Sequence, residues 1–224
     1  MKRTKILGLV LGAVFAMSAV AASVASAGLP EFTVSTTFTG TSGTGTLETQ
    51  SGATVICTSN VESGTITAPK AVLISAGVKF KGCTATILGK AEKCGTPPSS
   101  GEITTKSLSG TLGYVKAAAP KEVGIDLKPT SGTVLAEFEC ETTAGAKTKL
   151  VVSGSVIGIV TPINTVSKSF TLTFKQSKGV QSVKKLEGEA EDVLSTVIGT
   201  AAASVSGLET TASLTTAVNE EIKA

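Results

Sequence analysis

In Phe170-Thr171-Leu172-Thr173-Phe174 every second residue is large and apolar and the residues between are threonines. That period of two puts Phe170, Leu172 and Phe174 on one face of an extended chain and the threonines on the other, the pattern of a half-buried strand. The pattern recurs. Val123, Ile125 and Leu127 alternate with Gly124, Asp126 and Lys128, and Ala136, Phe138 and Cys140 alternate with Glu137, Glu139 and Glu141. In the run from Val72 to Phe80, positions Val72, Ile74, Ala76, Val78 and Phe80 share one face. Helix-period stripes are absent beyond the N-terminal segment, and the abundance of Thr and Val suits a pleated surface. An all-β chain follows.

Glycine-containing segments divide these runs. Ser-Gly-Thr occurs at Ser42-Gly43-Thr44, Ser63-Gly64-Thr65, Ser109-Gly110-Thr111 and Ser131-Gly132-Thr133. Each copy precedes a β-type run and reads as a turn whose glycine supplies a positive φ. The spacing predicts an antiparallel β-sandwich or barrel-like domain of about a dozen short strands. The loop 95–101 and the stretch 117–120 are the two places where the domain could subdivide. The segment Glu191–Ser204 reads both ways: its alanines suit helix, while Val193, Thr196, Val197, Ile198 and Gly199 suit strand.

The first 27 residues read as a secretory signal peptide. Basic Met1-Lys2-Arg3-Thr4-Lys5 precedes an apolar run from Ile6 to about Ala22, then Ser23-Val24-Ala25-Ser26-Ala27 offers small residues at a cut after Ala27. The expected product is an exported all-β domain spanning 28–224, secreted or envelope-associated, with no membrane span after cleavage. Removing Lys2, Arg3 and Lys5 from 20 basic residues leaves 17 lysines against 17 acids and no arginine.

Cys57, Cys83, Cys94 and Cys140 fit that destination. They contain no C-x-x-C, and the chain has no histidine to complete a zinc site, so two disulfides are the expected use. Four cysteines allow three connectivities. The short loop favours Cys83–Cys94, which leaves Cys57–Cys140 to join distant strands.

From about Gly52 to the C-terminus the chain resembles a type of uncharacterised secreted bacterial β-rich protein. The residues that carry the likeness are Phe80-Lys81-Gly82-Cys83, Gly124-Ile125-Asp126-Leu127-Lys128-Pro129, Gly154-Ser155-Val156-Ile157-Gly158, Phe170–Gln176 and Glu221-Ile222-Lys223-Ala224. The resemblance implies a disulfide-bearing export product without an assigned activity.

Composition narrows the chemistry. Ser-His-Asp and Cys-His nucleophiles need a histidine base, and the chain has none. Ser182-Val183-Lys184-Lys185 matches S-x-x-K, but that motif works when Ser and Lys lie one helical turn apart, and this stretch reads as strand or loop. Glu187, Glu189, Glu191 and Asp192 could offer oxygen ligands to Ca²⁺ or form a solvated acidic segment beside Lys184 and Lys185. No catalytic residue, cofactor or metal ligand is assigned. A net-neutral, arginine-free domain is poorly suited to phosphates, so nucleic acid is not expected. One tyrosine and no tryptophan cannot build the aromatic girdles of an outer-membrane barrel.

Two functions fit what remains. The first is a non-catalytic structural or interaction module of the bacterial envelope or exterior, with an unidentified protein or cell-wall partner. The second is a β-barrel carrier of a small apolar ligand. They differ in whether Phe80, Phe138, Phe170 and Phe174 pack together or surround a cavity of some hundreds of Å³.

Overall fold

The computed structural model describes residues 28–224; the signal-peptide assignment of 1–27 lies outside the described residues. The strands are β1 (Glu31–Phe32), β2 (Thr36–Ser42), β3 (Gly45–Thr49), β4 (Thr54–Cys57), β5 (Ser59–Thr67), β6 (Ala71–Ile74) and β7 (Lys79–Lys81). Then come β8 (Thr84–Ile87), β9 (Lys90–Gly95), β10 (Glu102–Thr104), β11 (Leu108–Lys116), β12 (Glu122–Pro129), β13 (Val134–Glu141) and β14 (Lys147–Ser153). The remainder are β15 (Val156–Thr161), β16 (Ser167–Phe174), β17 (Gln176–Ser177), β18 (Val180–Gln181), β19 (Ser195–Ile198), β20 (Ser204–Glu220) and β21 (Ile222–Lys223). No helix is present among the described residues, and every strand pair is antiparallel.

The pairing closes on itself twice. One ring runs β2–β5–β6–β11–β12–β15–β16–β20 and back to β2. A second runs β3–β4–β8–β9–β13–β14–β19–β20 and back to β3. The 17-residue β20 serves both: Ser204–Glu209 pair in the second ring and Thr210–Glu220 in the first. A long hairpin does the same, because β2 and β3 follow one another along β20 while β4 and β5 keep one register beside them. Closure leaves few free edges, which protects a strand-rich chain from pairing with other molecules.

Apolar side chains fill both rings and hydroxyl-bearing or charged ones face out, the reverse of a membrane barrel. Phe170, Leu172 and Phe174 are buried as their alternation predicted, as are Val123, Ile125 and Leu127, and Ala136, Phe138 and Cys140. The segment Glu191–Ser204 resolves into strand β19 followed by a turn at Gly199–Ala203. Segment 95–101 connects β9 to β10 and 117–120 connects β11 to β12, and each ring draws strands from both sides of either segment.

Three expectations need correction. The domain has 21 strand segments rather than about a dozen, and the longest spans 17 residues. The run Val72–Phe80 is two strands, because Gly77 adopts φ 71° and its N–H returns to the Ile74 carbonyl, which exposes Ala76. Of the four Ser-Gly-Thr segments, Ser131-Gly132-Thr133 is a turn with Gly132 at φ 68°. Ser42-Gly43-Thr44 only slips the register by one residue along β20, since Ser42 pairs Ala212 while Thr46 pairs Glu209. The other two lie inside β5 and β11. There the glycine permits close packing: a Cβ on Gly64 would overlap the Leu73 carbonyl oxygen and stand 2.7 Å from the Phe38 ring. Gly64→Ala is therefore expected to destabilise by about 1–3 kcal/mol. Thermal melting checks this, and an unchanged midpoint would show that Leu73 and Phe38 shift to admit the Cβ.

The cysteines also pair otherwise than the spacing suggested: the bonds are Cys57–Cys83 and Cys94–Cys140. Continuing the β4–β8 and β8–β9 registers places Cys57 opposite Cys83 and Cys83 opposite Cys94, and Cys94 lies opposite Cys140. All four thus form one row across four neighbouring strands. Joining Cys83 to Cys94 would strand Cys57 and Cys140 three strand spacings apart, about 14 Å, beyond the ~7 Å reach of a disulfide. Intramolecular disulfides of this kind persist in oxidising, extracytoplasmic compartments.

Candidate functional site

A cavity lies within each ring. The first, of about 90 Å³, is lined by Phe38, Ile66, Val72, Leu127, Val160, Phe170, Leu172 and Phe174, among others. The second, of about 70 Å³, is lined by Leu47, Val55, Phe138, Val152 and Leu194, among others. Phe80, Thr105, Leu135, Val156 and Leu208 border both. Phe138, Phe170 and Phe174 belong to one hydrophobic core with Phe80 packed against it, and they also border the voids: Phe80, Phe170 and Phe174 at the first, Phe80 and Phe138 at the second.

Polar side chains interrupt the first cavity's apolar wall on one side. Asn60 and Glu62 sit two residues apart on β5 and face inward, and Thr210 faces inward from β20, with β2 between those two strands. Asn60 and Thr210 are buried, and Asn60 Oδ1, Glu62 Oε2 and Thr210 Oγ1 find no hydrogen-bond partner within the protein among the described residues. The Glu62 side chain lies over Gly40, its partner across the ladder, in space that a Cβ at Gly40 would take. Burial pushes the Glu62 carboxyl up to about 7, because a charge is poorly accommodated against apolar side chains. Among the described residues no lysine lines this cavity. These three residues escaped the sequence reading; the signal was two polar residues, Asn60 and Glu62, on the strand face that continues to Ile66.

At its far end the first ring is covered by the β1–β21 pair, which brings Phe32 and Ile222 into the lining. The buried Glu220 fixes that cover: its Oε1 accepts from Thr33 N at 2.7 Å, Thr33 Oγ1 at 2.9 Å and Glu221 N at 2.9 Å, and its Oε2 accepts from Val34 N at 3.2 Å.

The segment holding the sequence-derived candidates lies outside the first ring. Leu186 is 2% exposed and packs where Gly113 leaves room, and the Glu187 N–H donates to the Tyr114 carbonyl. Ser182 and Lys185 are exposed and belong to neither helix nor strand, so the S-x-x-K pair lacks the helical turn that would align it. Glu187, Glu189, Glu191 and Asp192 are all exposed, with Glu187 Oε1 accepting from Ala117 N at 2.9 Å.

On the wall beside this segment, Asp126 is only 7% exposed although its place in the alternation assigns it to solvent. Burial lifts its carboxyl above the ordinary range; Ser155 and Lys128 oppose the shift, and the charges of Glu189 and Asp192 add to it. Even so, no three Asp, Glu, His or Cys side chains converge to hold a metal ion among the described residues. Replacing Glu187, Glu189, Glu191 and Asp192 together by Gln or Asn is expected to change stability by no more than about 0.5 kcal/mol. Millimolar Ca²⁺ is expected to leave the wild-type melting midpoint in place, and a calcium-dependent rise lost in the variant would establish an ion site there.

The outer surface carries a different feature. Around the first ring, exposed Ser63 and Thr65 on β5, Thr37, Thr39 and Thr41 on β2, and Thr211, Ser213 and Thr215 on β20 lie side by side. Ser63, Thr39, Thr215 and Ser169 form one row across four strands. Hydroxyls in such an array repeat at about 4.8 Å across strands and about 6.7 Å along them.

No protein-family model, no curated protein and no solved structure matches the chain.

Proposed function

We propose that the protein is a secreted, non-catalytic structural or interaction module of the bacterial cell envelope or exterior, and that its partner is a hydroxyl-rich polymer of the cell wall. The hydroxyl array on β5, β2, β20 and β16 carries this reading. A repeating set of short donor–acceptor groups on a closed, disulfide-stapled barrel suits many weak hydrogen bonds to a repeating partner. The near balance of 17 lysines and 17 acids after signal removal adds no strong single-sign attraction. A carrier of drug-sized apolar cargo needs a pocket of roughly 300 Å³ or more, and cavities of about 90 and 70 Å³ fall short of that.

Co-sedimentation of the purified mature protein with purified cell-wall material tests the proposal. Substantial pelleting is expected, and T39K/T41K/S213K/T215K should reduce it severalfold with little change in melting midpoint. Wild-type protein that stays in the supernatant, or a variant that pellets equally well, would overturn the reading.

A further inference from the structure

We propose that the first barrel's cavity is a binding site for a short-chain, uncharged aliphatic alcohol or an amphiphile of that chemistry, its hydroxyl held at the polar wall that Asn60, Glu62 and Thr210 line and its tail among the phenylalanines. Buried side-chain polar atoms in folded proteins are nearly always hydrogen-bonded. Here three that lack a protein partner line the wall of one cavity, on strands separated only by β2. Two of them belong to side chains more than nine-tenths buried, Asn60 at 3% exposure and Thr210 at 4%. The opposite wall, with Ile125, Leu127, Val156 and Val160, is entirely apolar. A cavity with acceptors on one side and hydrocarbon on the other matches a molecule with one polar end.

The head must both donate and accept. Asn60 Oδ1 and an ionised Glu62 only accept, whereas Thr210 Oγ1 can donate, and a hydroxyl serves both kinds of group. An anionic head is disfavoured, because among the described residues the only ionisable side chains on the lining are the carboxyls of Glu62 and Glu220. Glu220 is already taken up by backbone donors from Thr33, Val34 and Glu221. Size limits the tail. The first cavity measures about 90 Å³ and the second, which shares Phe80 and Leu208 with it, about 70 Å³. Volumes of this order admit only a short tail, running from the polar wall towards the shared residues Phe80 and Leu208.

The test uses wild-type mature protein with three probes: 1-pentanol, n-pentane and pentylamine. Methyl resonances of Ile66, Val72, Leu172 and Leu214 are expected to move saturably with 1-pentanol at millimolar concentration, and N60L/T210V should weaken that binding at least tenfold while leaving n-pentane unaffected. Ala212 lines the same cavity, so A212F should fill it and abolish binding. No saturable shift in the wild type would mean the polar atoms are served by water alone and would overturn the proposal. Equal binding of pentane and pentanol would overturn the role of the polar wall, and tighter binding of pentylamine would overturn the uncharged class. The wild-type titrations decide these points even where a variant fails to fold.

Discussion

Peptide mapping of the unreduced protein is expected to recover Cys57 linked to Cys83 and Cys94 linked to Cys140, and removing both bonds should lower stability by about 7 kcal/mol. The loops enclose 26 and 46 residues by sequence separation. In the chain-entropy model these sizes contribute about 3.5 and about 4 kcal/mol. They do not overlap in sequence, so the two contributions should nearly add. For a domain of this size each kcal/mol corresponds to about 2–4 °C in melting midpoint, so C57A/C83A alone should lower it by roughly 7–14 °C. Fragments joining Cys57 to Cys94 or to Cys140 would refute the strand row from which the pairing follows, because the row holds those pairs two and three strand spacings apart. A combined loss below about 2 kcal/mol would leave the pairing intact and show that the denatured chain gains little freedom when the bonds are absent.

Those cysteines mark the boundary of what could be read from the residues alone. Period-two alternation in β12, β13 and β16 depends only on neighbours in sequence, so the buried faces at Val123–Leu127, Ala136–Cys140 and Phe170–Phe174 were legible. Register is different. The Cys57–Cys83 contact arises because the 36–67 hairpin turns at 50–53 and β7–β8 then follows its second arm, and no local pattern encodes that alignment. The interior glycines mislead for a related reason: Ser-Gly-Thr has the same composition at the turn before β13 and within β5, and only the Leu73 carbonyl and the Phe38 ring distinguish them. Asp126 was assigned to solvent because alternation cannot foresee the 182–194 segment beside it. The polar wall at Asn60, Glu62 and Thr210 unites residues 150 positions apart in the chain, beyond any motif.

Glu62 supplies the second large effect. Its carboxyl titrates at about 7 in the folded protein against 4.5 ordinarily, so between those values the folded state binds the proton more tightly than the unfolded chain. Stability from this group is fully present below about pH 4.5 and is lost as pH rises through about 7. The shift corresponds to about 3 kcal/mol at 1.36 kcal/mol per pH unit. Asp126 shifts in the same direction, so the wild-type curve alone does not isolate Glu62; its difference from E62Q does. Glutamine retains the shape beside Gly40 and Leu214 and cannot ionise. The variant should therefore show a shallower decline between pH 4.5 and 7.5 and, at pH 8, exceed the wild type in stability by up to about 3 kcal/mol. Denaturant unfolding at several pH values measures this. Parallel curves for the two proteins would mean that Glu62 is solvated in the folded state and that the cavity wall is not the apolar environment its lining residues describe.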